Sequence, residues 1–308
     1  MTGLFTFGET MGLVVADGIG PLTYARGFSF GIGGAESNVA IGVARLGGES
    51  CWLGRVGPDA TGALIRSRLE AAGVRTIAVP DPTFTGLMVR YRRSGEFAHV
   101  DYHRAGSAGS RLNPADLPPS ELREAAVVHV TGITPALSET CRAAVFQAVE
   151  TARDAGVPVS IDVNYRAKLW SRFDAAPVLR DLVGLADIVF ASPDEAALFV
   201  DEDDLLGNLA KLGPAEVILK DGGKGCVAQI GGERHAVPAL PVTVIDPVGA
   251  GDAFVAGYLA DRMAGAAPEQ RLTTAIAAGA FAVTVSGDCE GLPDRAELAA
   301  LGGGDLRR

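Results

Sequence analysis

Val242-Thr-Val-Ile245-Asp246-Pro-Val-Gly249-Ala-Gly251-Asp252-Ala-Phe-Val-Ala-Gly-Tyr-Leu-Ala-Asp-Arg-Met263 reads as three units in a row. Val242–Ile245 is a short β-branched run, which predicts a strand. Gly249-Ala250-Gly251 permits a sharp turn and a close backbone approach. Ala253–Met263 is apolar and free of proline, which predicts a helix. A strand that turns through glycines into a helix is one βα unit of an α/β fold.

The same rhythm runs outward from it. Val127–Val130, Val157–Val163, Ile188–Phe190 and Glu216–Leu219 are further apolar runs. Ala/Leu-rich helical patterns lie between them, such as Glu139–Ala155, with Ala143, Phe146 and Val149 on one face, and Pro177–Leu185. Runs apolar on both faces fit a parallel sheet covered on both sides. The expected fold is therefore α/β: a doubly wound, mostly parallel sheet flanked by helices. Gly12–Ile32 and Thr83–Tyr102 break the rhythm. The first is rich in Gly and aromatics, and the second reads as a hairpin around Ser94-Gly95. Together they predict a small antiparallel sheet, serving as a lid, an oligomer interface or an ordinary surface excursion. The core is then residues 1–11, 33–82 and 103–308, and the β lid residues 12–32 and 83–102.

The chain has 308 residues, 48% of them apolar, and 27 basic against 37 acidic side chains, a net charge of -10. That balance gives no electrostatic footprint for nucleic acid or an anionic membrane. Cys51, Cys141, Cys226 and Cys289 form no CxxC pair, which excludes a zinc site of that type and suits reduced thiols in a cytoplasm. With no leader pattern and no membrane-length apolar run, a cytoplasmic protein is expected.

In open α/β sheets, ligands bind beyond the carboxyl ends of the strands. There the sequence places Asn164-Tyr165-Arg166, Ser192 and Glu195, Lys220 with Gly222 and Gly225, and Gly249–Asp252. Free amides at a helix start bind anions, and two glycines let a phosphate come close. A γ-phosphate over the Ala250 and Gly251 amides, with Asp252 taking the proton of an attacking hydroxyl, is phosphoryl transfer. An Asp at that place can also be a plain helix cap. Gly33-Gly34 opens a second helix, Ala35–Leu46, either to admit a substrate hydroxyl or for close packing. Tyr102-His-Arg104 and Tyr165-Arg166 offer two guanidinium forks that suit a carboxylate, unless both are merely solvated. Asp288, in the polar loop Ser286–Gly291, could accept substrate hydroxyls or shape a turn. No GxxxxGK[ST] is present, so a P-loop is excluded.

Gly33-Gly34-Ala-Glu-Ser-Asn38-Val-Ala and Asp246-Pro-Val-Gly-Ala-Gly-Asp252-Ala-Phe resemble the two signatures of the PfkB, ribokinase-like, carbohydrate kinases. Tyr102–Ser110, Gly132–Ser138, Asp162–Arg166 with Leu169-Trp170, and Gly287–Gly291 are most similar to the branch that acts on 2-keto-3-deoxygluconate. The resemblance implies a β-sheet lid, often the dimer contact, with ATP and Mg²⁺ as cofactors and a 6-phosphate as product. It implies that Gly33, Gly34, Tyr102, Arg104, Arg166, Asp252 and Asp288 hold a sugar acid. It implies ATP contacts from Asn164, Arg166, Ser192, Lys220, Gly222, Gly225, Gly249 and Gly251, and Glu195 acting on Mg²⁺ through water. Catalysis would fall to Asp252 with Gly249, Ala250 and Gly251. Alternatives are another sugar kinase of this family, such as a fructokinase, or a non-catalytic sugar sensor. The chain departs from the family pattern at Met88, Ser192, Pro247 and Ile276.

Overall fold

The apolar runs do form a buried sheet. In the computed structural model, residues 3–94 and 98–302 are described. In chain order the elements are β1 (Leu4–Phe7), β2 (Met11–Ile19), β3 (Phe28–Gly33), α1 (Ala35–Arg45), β4 (Ser50–Val56), α2 (Ala60–Ala71), β5 (Arg75–Pro80), β6 (Leu87–Arg92) and β7 (Ala98–His103). There follow α3 (Pro119–Glu124), β8 (Val127–Thr131), α4 (Glu139–Asp154), β9 (Val159–Asp162), α5 (Arg172–Leu185), β10 (Ile188–Ala191), α6 (Pro193–Ala196), α7 (Leu205–Ala210) and β11 (Glu216–Lys220). The chain closes with β12 (Cys226–Ile230), β13 (Glu233–Val237), α8 (Ala250–Met263), α9 (Pro268–Ala282) and α10 (Arg295–Gly302).

Nine strands make the main sheet, in the order β13-β12-β11-β10-β9-β8-β1-β4-β5. β11 to β5 in that order run parallel, while β12 and β13 are antiparallel at one edge. Their hairpin turns through Gly231 and Gly232, both at positive φ as a two-residue turn requires. Successive side chains enter opposite apolar layers. Phe5, Phe7, Val128, Val130, Val189 and Val217 face one layer, with α4 and α5; Leu4, Val127, Ile188, Phe190 and Ile218 face the other, with α1, α8 and α9. Burial on both faces explains why these strands read as continuous apolar runs rather than alternating ones. The chain leaves β1 for β4 and β5 on one side and returns to β8 on the other. That reversal opens a crevice at the carboxyl ends of β1 and β8.

A second sheet of four strands, β3-β2-β6-β7, stands over this crevice. Its central pair, β2 and β6, is parallel, with β2–β3 and β6–β7 antiparallel, so the expected all-antiparallel sheet is corrected. Two hairpins from distant parts of the chain meet side by side, and their direction is set by where the core releases them. Gly95, in the expected turn, and the tail 303–308 lie outside the described residues.

Three other expectations change. Val242–Ile245 is not a strand. Val244 and Ile245 are exposed, and the Ile245 and Asp246 amides both donate to one carbonyl, Val283, at 2.7 and 3.1 Å. Both bonds go to the end of α9 rather than to the edge strand β13, so the segment joins no sheet. The buried stripe of α4 is Cys141, Ala144, Val145, Ala148, Val149 and Ala152. That spacing is the full helical period, and it leaves Ala143 exposed and Phe146 at the margin. α5 begins at Arg172 and carries Pro177 inside it. Ser171 caps it by accepting the Asp174 amide, and burial of Ala175, Leu179, Leu182 and Val183 against the sheet holds the helix despite the backbone bond that proline deletes.

Candidate active site

A cleft of about 1160 Å³ lies between the main sheet and the small one. Its floor comes from strand ends: Asp162 at the end of β9 and Asn164 just after it, Ser192 and Glu195 after β10, and Lys220 at the end of β11. Gly34 and Asn38 of α1 and Gly249, Gly251 and Asp252 of α8 complete the floor. Tyr102 and Arg104 reach in from β7 and its exit, and Arg166 and Asp288 from loops. Gly33, Ala250, Gly222 and Gly225 do not line it. Gly33 lies just behind: a Cβ there would fall 2.0 Å from Asp288 Oδ2. Ala250 is the first residue of α8. Gly222 and Gly225 shape the turn after β11 at positive φ, and Gly225 faces a separate hollow of about 310 Å³.

α8 starts on Gly249 in the left-handed conformation, φ 78°, and no side chain caps it. A Cβ on Gly249 would also lie 2.3 Å from the Asp288 carbonyl, so glycine is needed twice over. The helix-cap alternative for Asp252 does not hold. Its Oδ2 accepts from Asn38 Nδ2 at 2.8 Å, and the same amide donates to Asp288 Oδ1 at 2.9 Å. One buried asparagine therefore ties two carboxylates together. Burial, and next the Asp288 charge, push the Asp252 carboxyl up to about 7, against the Asn38 bond. Burial raises Asp288 to about 6, against the pull of Arg90 and the Asn38 bond. A carboxyl that titrates near neutrality, beside uncapped helix amides, can take a proton from an alcohol.

On the other side of Asp252, Lys220 Nζ donates to Asp162 Oδ2 at 2.6 Å and sits near Gly251. Burial opposes the lysine's charge, but Asp162 and Glu195 outweigh it and its pKa is raised. Asn164 has φ 38°, the single non-glycine at positive φ among the described residues, and is buried. Such strain concentrates at functional sites. Glu195 Oε2 accepts the Ser192 amide at 2.7 Å and Oε1 the Tyr165 amide at 2.9 Å, closing a capping box on α6. Asp162 Oδ1 is buried without a donor among the described residues. That orphaned oxygen, close to Glu195, fits a hydrated divalent cation.

The two guanidinium forks differ. Arg104 is committed: its Nε donates to Glu9 Oε2 at 2.6 Å, and Ser107 Oγ donates to the other Glu9 oxygen. Arg166 is exposed, and its guanidinium makes no hydrogen bond or ion pair among the described residues. Tyr102 is flanked by cations, Arg104 at 5.7 Å and Lys168 at 5.6 Å from its ring centre. Sequence reasoning missed Glu9, Asn38, Arg90, Asp162 and Lys168. Asn38 carried a signal, a polar residue one turn after Gly34 on a helix face otherwise apolar. Asp162 opens the run Asp162–Arg166 but carries no role there of its own, and Glu9, Arg90 and Lys168 are single polar residues outside any pattern, recognisable only once the strands are placed.

Residues 1–295 match the profile of the pfkB family carbohydrate kinases. A 2-dehydro-3-deoxygluconokinase of Bacillus subtilis (strain 168) is 35% identical, over 96% of this chain and 94% of its own. A fructokinase of Klebsiella pneumoniae is 34% identical, over 96% and 97%. The crystal structure of fructokinase from Vibrio cholerae O395, in a form with fructose, ADP and calcium ion bound, superposes with TM-score 0.86 at 27% identity, covering 97% of this chain and 99% of that one. With the family profile matched along nearly its whole length, and relatives aligned end to end, the chain belongs to the pfkB family of carbohydrate kinases.

Proposed function

We propose that the protein transfers the γ-phosphoryl group of ATP to the 6-hydroxyl of 2-keto-3-deoxy-D-gluconate, giving the 6-phosphate and ADP. The observation that carries this reading is the Asp252 carboxylate, held by Asn38 beside the uncapped amides that open α8. Asp252 takes the hydroxyl proton as the oxygen attacks phosphorus, and the bond from phosphorus to the ADP oxygen breaks. The Gly249–Gly251 amides and Lys220 receive the charge that develops on the phosphoryl oxygens. Asn38 keeps Asp252 and Asp288 apart and aimed, so that one serves as base and the other accepts substrate hydroxyls. Asp162 and Glu195 would hold the water shell of Mg²⁺, whose charge offsets that of the phosphates. Gly34, Tyr102 and Arg166 surround the sugar acid, with Arg166 as the cation that meets its carboxylate.

A fructokinase is the second reading, and the Arg104–Glu9 pair favours it. An arginine already neutralised by a buried carboxylate has less to offer an anionic substrate. The deciding measurement is a coupled ADP-release assay over a panel of sugars and sugar acids. Transfer to 2-keto-3-deoxygluconate well above fructose supports the first reading, and the reverse order supports the second. Binding of ATP and sugar without transfer, Mg²⁺ present, would mean a sensor. The small sheet is taken as a lid and as the contact between two copies. The described residues contain no helix long and apolar enough to cross a membrane.

A further inference from the structure

Arg90 belongs to no motif, yet it lies buried on β6 of the small sheet, facing the cleft beside Met88. A buried guanidinium has to be paired. Its Nη2 is 2.9 Å from Asp246 Oδ2 and donates to the Gly287 carbonyl at 3.0 Å. Asp246 is buried too, and its Oδ1 accepts the Val248 amide at 3.2 Å while Oδ2 accepts the Gly287 amide at 3.3 Å. Asp246 begins the loop that ends at Gly249, and Gly287 precedes Asp288. These two loops touch, because a Cβ on Gly249 would meet the Asp288 carbonyl. One nitrogen of Arg90 thus grips both loops from the opposite side of the cleft. Arg92, two residues on, donates to the Ile245 carbonyl as a second tie from the same strand.

We propose that Arg90 is a positioning residue that locks the small sheet onto the anion hole, setting the Gly249–Gly251 amides for the terminal phosphate. This rests on the site reading above, which puts that phosphate over those amides. The Nη2 contacts run to Asp246 and Gly287, so Arg90 acts through the two loops that carry them. The ammonium of a lysine has three donors and could restore part of the grip, whereas methionine keeps the bulk and none of it.

The test uses nucleotides alone, so the identity of the sugar plays no part. ADP and a non-hydrolysable ATP analogue are titrated into wild type, Arg90→Met, Arg90→Lys and the double variant Arg90→Met with Asp246→Asn, with melting curves alongside. Arg90→Met is expected to weaken the ATP analogue about tenfold and ADP less than about threefold, with Arg90→Lys between it and wild type. The double variant leaves no unpaired buried carboxylate, so it reads the same ratio if Arg90→Met does not fold. An unchanged ratio of analogue to ADP affinity in folded variants overturns the role of Arg90. A wild type that binds the analogue and ADP alike overturns the phosphate assignment itself, and the role of Arg90 with it.

Discussion

Asp252 and Asp288 share one amide donor, and their chemistry is decided by that sharing. A base pushed up to about 7 is half protonated near neutral pH, so kcat/KM should rise with pH through that region. Asp288→Asn removes a like charge, lowers the Asp252 pKa and moves the acid limb to lower pH; a limb that stays in place would detach it from Asp252. Asp252→Asn should still bind ATP and sugar but lose turnover by about 10²–10⁴-fold. It should also be more stable than wild type in alkali. A carboxyl whose folded pKa is raised favours the folded state below its unfolded pKa, and that benefit drains away as pH rises through about 7. The gain in Tm over wild type should therefore be larger at about pH 8 than at about pH 5. The two arginines separate in the same spirit. Arg166→Ala should reduce kcat/KM for the sugar acid by about 10–100-fold and for fructose by clearly less, since among the described residues its side chain is exposed and held by no ion pair. Arg104→Ala should instead lower Tm, because it strands the buried Glu9 carboxylate.

At the scale of the element, the start of α8 carries the design. Gly249 sits at φ 78° with the Asp288 carbonyl where a Cβ would go, so Gly249→Ala strains the turn and pushes the two loops apart. The expected outcome is a loss of about 1–3 kcal/mol in stability and weaker binding of the ATP analogue, read by melting and titration. This loop was legible in the sequence because glycines, an Asp and an apolar helix stand in fixed order there. The strand thought to precede it was not, because β-branched residues mark extended chain whether or not a partner strand is at hand. Proline is a strong stop signal and shortens the α5 read from sequence, yet a capping serine six residues upstream begins the helix first. Glu195 looked like a metal residue alone, and the structure gives it a second task, capping α6. Asn38 and Arg90 were the harder losses. Each acts on residues about two hundred positions away, and no local pattern records a partner at that distance.

The whole molecule turns on the small sheet, which has two unlike faces. Met88, Arg90 and Tyr102 alternate onto the cleft side of β6 and β7. Phe28 and Phe30 of β3 share the far face and stand 49% and 46% exposed, with Tyr24 and Ile19 beside them in the connection and at the end of β2. Apolar side chains grouped on an outward sheet face mark an interface. A second copy offers the same face by two-fold symmetry, which closes the patch without leaving another open. The protein should therefore run as a dimer by light scattering, and Phe28→Glu with Phe30→Glu should shift it to monomer. A wild type that is monomeric at high concentration would remove the interface. The two faces also make association and catalysis linked quantities. The sheet that carries Arg90 to Asp246 is the one the partner would steady, so the monomeric variant should lose affinity for the ATP analogue more than for ADP. Equal affinities in monomer and dimer would mean that the core alone fixes the sheet over the cleft.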